Sequence, residues 1–185
     1  METLETINKR TSLKTHLSSR DIEPEKITKI LDAARLAPSA RNTQPWRFIV
    51  VKGKKNVETV VTRAFMELNQ VVREAPVLII ACANPSDDVI HDGKEYYLFD
   101  VGLAVENMLL AATDLGLLTH PMTAVHEDEL KKVLHIPGEV RFVVATPLAY
   151  PAEGSYEKAA RERLAQRTRK SAKEVVYSNA WGKPF

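Results

Sequence analysis

The sequence predicts an α+β layered sandwich. Three observations carry this: helical and strand-like apolar patterns alternate along the chain, no run of tight βαβ units occurs, and no repeat or Pro/Gly/Ser-rich linker marks an internal boundary. One domain over residues 1–185 is therefore expected, long enough for a real core. With 44% hydrophobic and 27% charged residues the chain belongs with ordinary globular proteins, not with disordered chains or disulfide scaffolds.

The elements follow in order. Pro24 opens a helix whose apolar positions Ile27, Ile30, Leu31, Ala34 and Ala37 keep helical spacing until Pro38 stops it. Trp46 to Val51 is a β-branched and aromatic run, interrupted at Gly53, and reads as a strand. Asn56 to Glu74 returns to helical spacing through Val57, Val60, Val61, Ala64, Phe65, Leu68, Val71 and Val72, so one helix is expected there. After Pro76, Val77 to Ala83 is an unbroken apolar strand carrying the single Cys82, expected as a buried thiol in a reducing compartment. The polar segment 84–94, with Asp87, Asp88 and Asp92, reads as a solvated loop.

A long, mostly buried helix is expected from Tyr96 to Leu115, capped by Gly116. A short strand near Leu117 to Met122, a helix from Glu127 to Leu134 and a strand from Val140 to Ala149 complete the core. Residues 155–167 read as a charged helix and the tail to Phe185 as irregular.

Several function classes are excluded. The 26 basic and 24 acidic residues leave a net charge of +2, which gives no reason for nonspecific nucleic-acid binding. No apolar run approaches the length of a membrane span and the start carries no signal-peptide pattern, so a cytoplasmic protein without membrane contact is expected. None of the seven glycines forms Gly-x-Gly, which removes the dinucleotide fingerprint and the P-loop; a bound phosphate must be held by side chains. The five histidines make no pair at metal-ligand spacing, so no metal site is expected, and Ser39 lacks the Gly-x-Ser-x-Gly elbow of a hydrolase.

What remains is local. In Arg10-Thr11-Ser12-Leu13-Lys14 the side chains of Arg10, Ser12 and Lys14 alternate, so an extended segment points all three one way and makes an anion clamp possible. A second basic cluster runs from Arg161 through Arg163 to Arg167, Arg169 and Lys170. Between them, Pro38 to Pro45 is a loop full of hydrogen-bonding side chains, pinned by two prolines between helix and strand. Trp46 and Phe48 read as core aromatics, Glu106 and Asn107 as a structural pair, and Arg161 and Arg163 as surface charges.

These segments resemble the FMN-dependent nitroreductase family over nearly the whole chain. The resemblance rests on Arg-x-Ser-x-Lys at 10–14, Ala-Arg-Leu-Ala-Pro-Ser-Ala-Arg-Asn-Thr-Gln-Pro-Trp at 34–46, and Asp-Val-Gly-Leu-Ala-Val-Glu-Asn-Met-Leu-Leu-Ala-Ala at 100–112. It implies a nitroreductase-like α/β/α sandwich with a mostly antiparallel central sheet and an extended C-terminal tail exchanged in a homodimer. It also implies FMN between the subunits, with Arg10, Ser12 and Lys14 at its phosphate, ribityl chain and pyrimidine edge, and Arg167 and Arg169 adding phosphate contacts. Pro38, Ser39, Ala40, Asn42 and Gln44 approach the flavin, and Pro121, Met122, Thr123 and Ala124 line its ring, by the same carry-over.

The implied activity is ping-pong reduction of nitroaromatics, quinones or similar small acceptors by NADH or NADPH. FMN carries the chemistry and no side chain acts as acid or nucleophile. The alternatives are a specialised relative, such as a flavin reductase, dehydrogenase or dehalogenase, and a non-catalytic flavin-binding protein. Leu118 stands at a frequent glycine of the family and Ser171 at a frequent proline.

Overall fold

A seven-residue apolar strand has no polar face to show to water, so Val77–Ala83 must be covered on both sides, and it is the centre of the molecule. In the computed structural model, which describes residues 2–185, it lies between β1 (Trp46–Lys52) and β5 (Arg141–Leu148) in an antiparallel three-stranded sheet of order β1-β2-β5, with Val77–Ala83 as β2. Alternation along β2 sends Val77, Ile79, Ala81 and Ala83 into one core and Leu78, Ile80 and Cys82 into the other. Burial pushes the Cys82 thiol up to about 11, so it stays protonated.

Helices cover both faces. On the first face α2 (Pro24–Arg35) contributes Ile27, Ile30 and Ala34. It packs with α4 (Tyr97–Asp114), which contributes Val101, Ala104, Val105, Met108 and Ala112. On the second face α3 (Lys54–Ala64) and α5 (Glu127–Leu134) bury Val57, Val61, Ala64 and Leu130. This is the α/β/α layering that the family resemblance implies. Helix α4 ends at Gly116 with φ of 76°, where the amides of Gly116 and Leu117 close back onto Thr113 and Ala112 as the apolar pattern foretold. Trp46 and Phe48 lie in the first core, and Asn107 ties α4 to α2 by donating to the Ala33 carbonyl at 3.1 Å.

Three expectations needed correction. The helix over 56–74 is two pieces: α3 stops at Ala64, Phe65 is extended and bridges Val125, and a 3₁₀ segment runs over Glu67–Glu74. Gln70 closes the break by donating to the carbonyls of Val61 and Phe65. The strand at 117–122 is only a set of isolated bridges, Leu118 with Ala149 and Met122 with Ala145. Between them the Thr146 hydroxyl accepts from the His120 amide, and Pro121 has no amide to give. The loop at 84–94 contains a small hairpin of β3 (Ile90–His91) and β4 (Lys94–Glu95).

The ends of the chain are built differently. An unforeseen helix α1 (Thr3–Lys9) buries only Thr6, while α6 (Tyr156–Ala165) and α7 (Ala172–Val175) bury nothing. The last ten residues fold back on themselves through a Tyr177–Pro184 bridge and leave Trp181 and Phe185 about nine-tenths exposed. No described helix is long and apolar enough to cross a membrane.

Candidate functional site

The two basic clusters, more than 150 residues apart in sequence, meet. Segment 10–14 leaves α1 in an extended course, held by a parallel bridge between Ser12 and Thr119, and Arg10 donates to the Ser12 hydroxyl at 3.3 Å. From the other end, Arg167 donates to the carbonyls of Asn8 at 3.0 Å and Arg10 at 3.5 Å, the free carbonyls at the end of α1. Between them lies a cleft of about 250 Å³ lined by Arg10, Arg163, Arg167, Arg169, Thr11, Ser12, Thr168 and Gln166. No carboxylate lines it; Glu106 sits behind, 3.6 Å from Arg10. Arg163, read from sequence as a surface charge, is exposed and lines this cleft, and Glu106 serves Arg10 instead of pairing with Asn107.

Lys14 turns the other way, to a residue that sequence reasoning missed. Its ammonium donates to the Leu68 carbonyl and to Asn69 Oδ1 at 3.0 Å, and the Asn69 amide donates to the Ala124 carbonyl at 3.3 Å. Asn69 is 1% exposed, so these bonds answer its polar groups and join Lys14 to segment 121–124. The available signal was an asparagine amid the apolar pattern of 56–74. Within 121–124, Pro121 and Thr123 are exposed and Ala124 half-buried, whereas Met122 is 3% exposed and packs in the second core, so its side chain lines nothing outside. His120 beside them, also missed, is half-buried with its Nδ1 lacking a partner among the described residues; burial lowers its pKa, and Lys14 and Arg163 add to the effect.

The loop from Pro38 to Pro45 is a strained turn. Arg41, Asn42 and Gln44 have φ of 50°, 59° and 52°, a left-handed backbone that costs about 1–2 kcal/mol per non-glycine residue. Hydrogen bonds hold it there: the Ser39 hydroxyl accepts from the Gln44 amide at 3.0 Å, Asp100 from the Ala40 amide at 2.7 Å, and Asp88 from the Thr43 hydroxyl at 2.8 Å. Pro38, Asn42 and Gln44 are left exposed and Ser39 and Ala40 half-buried. Within one chain, no described hydrogen bond or ion pair joins this turn to the arginine cleft.

The donor set fits the phosphate of FMN: four arginines and three hydroxyl-bearing residues line the cleft, and Glu106 stands behind Arg10, not among the lining residues. Fold and cleft together define an α+β protein whose two chain ends meet at a basic cleft. The nitroreductase family model matches residues 7–70 and 62–150. A Methanothermobacter thermautotrophicus protein, provisionally named as an NADH dehydrogenase/NAD(P)H nitroreductase, is 36% identical over 158 residues, covering 83% of this chain and 79% of that protein. An iodotyrosine deiodinase from Haliscomenobacter hydrossis is 30% identical over 188 residues, covering 86% of this chain and 82% of its own. The solved structure of a nitroreductase family protein from Clostridium novyi NT superposes with a TM-score of 0.77 at 34% identity, covering 100% of this chain and 97% of that one. The chain belongs to the nitroreductase family, a family of oxidoreductases.

Proposed function

We propose that the protein is a homodimeric, FMN-dependent NAD(P)H oxidoreductase of the cytoplasm that reduces nitroaromatics, quinones or similar small acceptors. The observation that carries this reading is the meeting of Arg10 and Ser12 with Arg167 and Arg169 around one acid-free cleft. When bound, FMN supplies the electron-transfer chemistry. The chain's residues hold and orient it: Arg10, Arg167 and Arg169 neutralise the phosphate, Ser12 adds a hydroxyl, and Lys14, fixed by Asn69, places a cation toward segment 121–124. No acid or nucleophile is asked of the protein.

In this reading the site is shared by two copies, with the Ser39–Gln44 turn of one facing the cleft of the other. Exposed Leu4, Ile7, Leu98 and Phe99 on α1 and α4, with Trp181 and Phe185 on the tail, offer the apolar surface such a pairing covers. Sedimentation as a dimer is expected; a monomer at micromolar concentration removes the shared site.

The deciding experiment is a titration of the purified protein with FMN. Bound flavin absorption is expected, bleached by NADH or NADPH without oxygen and restored by a quinone or nitroaromatic. A chain that leaves FMN free overturns the reading. One site serving reductant and acceptor in turn gives parallel double-reciprocal plots. The similarity to an iodotyrosine deiodinase favours reductive dehalogenation as the second reading, and turnover of a halotyrosine in preference to quinones selects it.

A further inference from the structure

Helix α6 contributes to two hollows. Arg163 lines the arginine cleft, and Ala160, three residues earlier and so its neighbour on the helix surface, lines a second hollow of about 540 Å³. Thr11 lines both, so the two adjoin across one residue. The second hollow has Tyr156, Ala160 and Leu164 as its apolar walls and the exposed Lys9, Glu157 and Arg161 as its polar rim. Its volume lies within the range of small-ligand sites, about 300–1,000 Å³. The Tyr156 ring is half-buried and stacks on no other aromatic ring among the described residues.

The cleft also holds more cations than one phosphate answers. Of its four arginines only Arg10 has a carboxylate within salt-bridge distance among the described residues, Glu106 at 3.6 Å. A phosphate monoester such as that of FMN carries about two negative charges at one point. Arg10, Arg167 and Arg169 suffice to neutralise it, and the exposed Arg163 is left over. A pyrophosphate spreads its charge over two phosphorus centres. The nucleoside beyond it needs what the second hollow holds: an aromatic ring for the purine face, aliphatic walls and a polar rim for the ribose.

We propose that the cofactor cleft is open-ended and accepts flavin adenine dinucleotide as well as FMN. The flavin-side phosphate takes the place of the FMN phosphate at Arg10, Arg167 and Arg169, Arg163 meets the second phosphate, and the adenosine lies in the second hollow against Tyr156, Ala160 and Leu164. This rests on the reading of the cleft as the flavin phosphate site. Adenosine pyrophosphate is also the far half of NADH and NADPH. The dinucleotide of flavin fits because its second phosphate is bonded to the one the cleft holds, whereas a nicotinamide dinucleotide arrives when the FMN phosphate already fills that place.

The test titrates the cofactor-free protein with FMN and with FAD by flavin fluorescence, with sedimentation and phosphorus NMR alongside. The wild type binds both, FAD within about threefold of FMN, since the added contacts offset the ordering of a longer ligand. Ala160→Trp fills the second hollow and weakens FAD about tenfold while FMN stays within about twofold, which also shows the variant folded. Tyr156→Ala removes the stacking ring with the same selectivity. Arg163→Ala weakens FAD more than FMN and returns the adenosine-side phosphorus resonance of bound FAD toward its free position. FMN binding without FAD binding, or an FAD affinity indifferent to all three substitutions, overturns the proposal and leaves the cofactor reading standing. A raised KM for NADH in FMN-loaded Ala160→Trp with FAD affinity unmoved assigns the hollow to the reductant, and a dimer lost on Ala160→Trp assigns it to a second copy; either overturns the proposal. If neither flavin binds, the cofactor reading falls and takes the proposal with it.

Discussion

The central sheet and the chain ends solve opposite problems. All seven residues of β2 are buried, and each large apolar side chain so buried contributes about 1.5–3 kcal/mol. Helices α6 and α7 bury no residue, and the junction of the two ends rests on solvent-exposed hydrogen bonds from Arg167 to two backbone carbonyls. The sheet specifies the fold whether or not anything is bound. The ends gather four arginines around one cleft with only Glu106 and two backbone carbonyls to answer them, and sites are commonly drawn from such weakly held regions.

Substitutions separate the two regions. Ile80→Ala in β2 is expected to destabilise the protein by about 2–5 kcal/mol in denaturant titrations while the folded fraction binds FMN as before. Arg167→Ala reverses the pattern: FMN binding weakens by about 1.5–3 kcal/mol in a fluorescence titration, while the unfolding free energy moves by less than about 0.5 kcal/mol. Loss of binding on Ile80→Ala at temperatures where it stays folded breaks the distinction.

Asn69→Ala straddles the boundary. It takes the side-chain partner from the half-buried Ala124 carbonyl, which keeps the Met66 amide, and from the Lys14 ammonium, which keeps the Leu68 carbonyl, and is expected to lower both stability and FMN affinity, by about 1 kcal/mol in stability. The smallest effect is that of His120. Its folded pKa is lowered by burial, so the stability it contributes is present above its ordinary value near 6.5 and lost as pH falls through the lowered value. Denaturation midpoints should decline in that window for wild type and not for His120→Gln; equal slopes clear the imidazole.

Much of this was legible in the residue order. Period-3.6 spacing placed α2 and α4, and the unbroken run Val77–Ala83 implied a strand covered on both faces, because those patterns record burial. What was hidden depended on partners distant in sequence. The break after Ala64 exists because the backbone of Phe65 and Met66 bonds segment 124–125, a contact no local spacing encodes. Asp88 looked like a solvated turn residue because nothing near it in sequence reveals Thr43, whose hydroxyl it accepts. The clamp residues Arg10, Ser12, Arg167 and Arg169 were named from resemblance, and coordinates bring them together; their neighbour Arg163 was missed since charge on a helix reads as solvated by default.

The Arg167 guanidinium on the Asn8 carbonyl has a bearing on biosynthesis. A ribosome completes the sandwich layers at Leu148 well before the arginines that close the anion cleft emerge. The cleft proposed for FMN is therefore the last part of the fold to form, and a message cut short after the last strand lacks it.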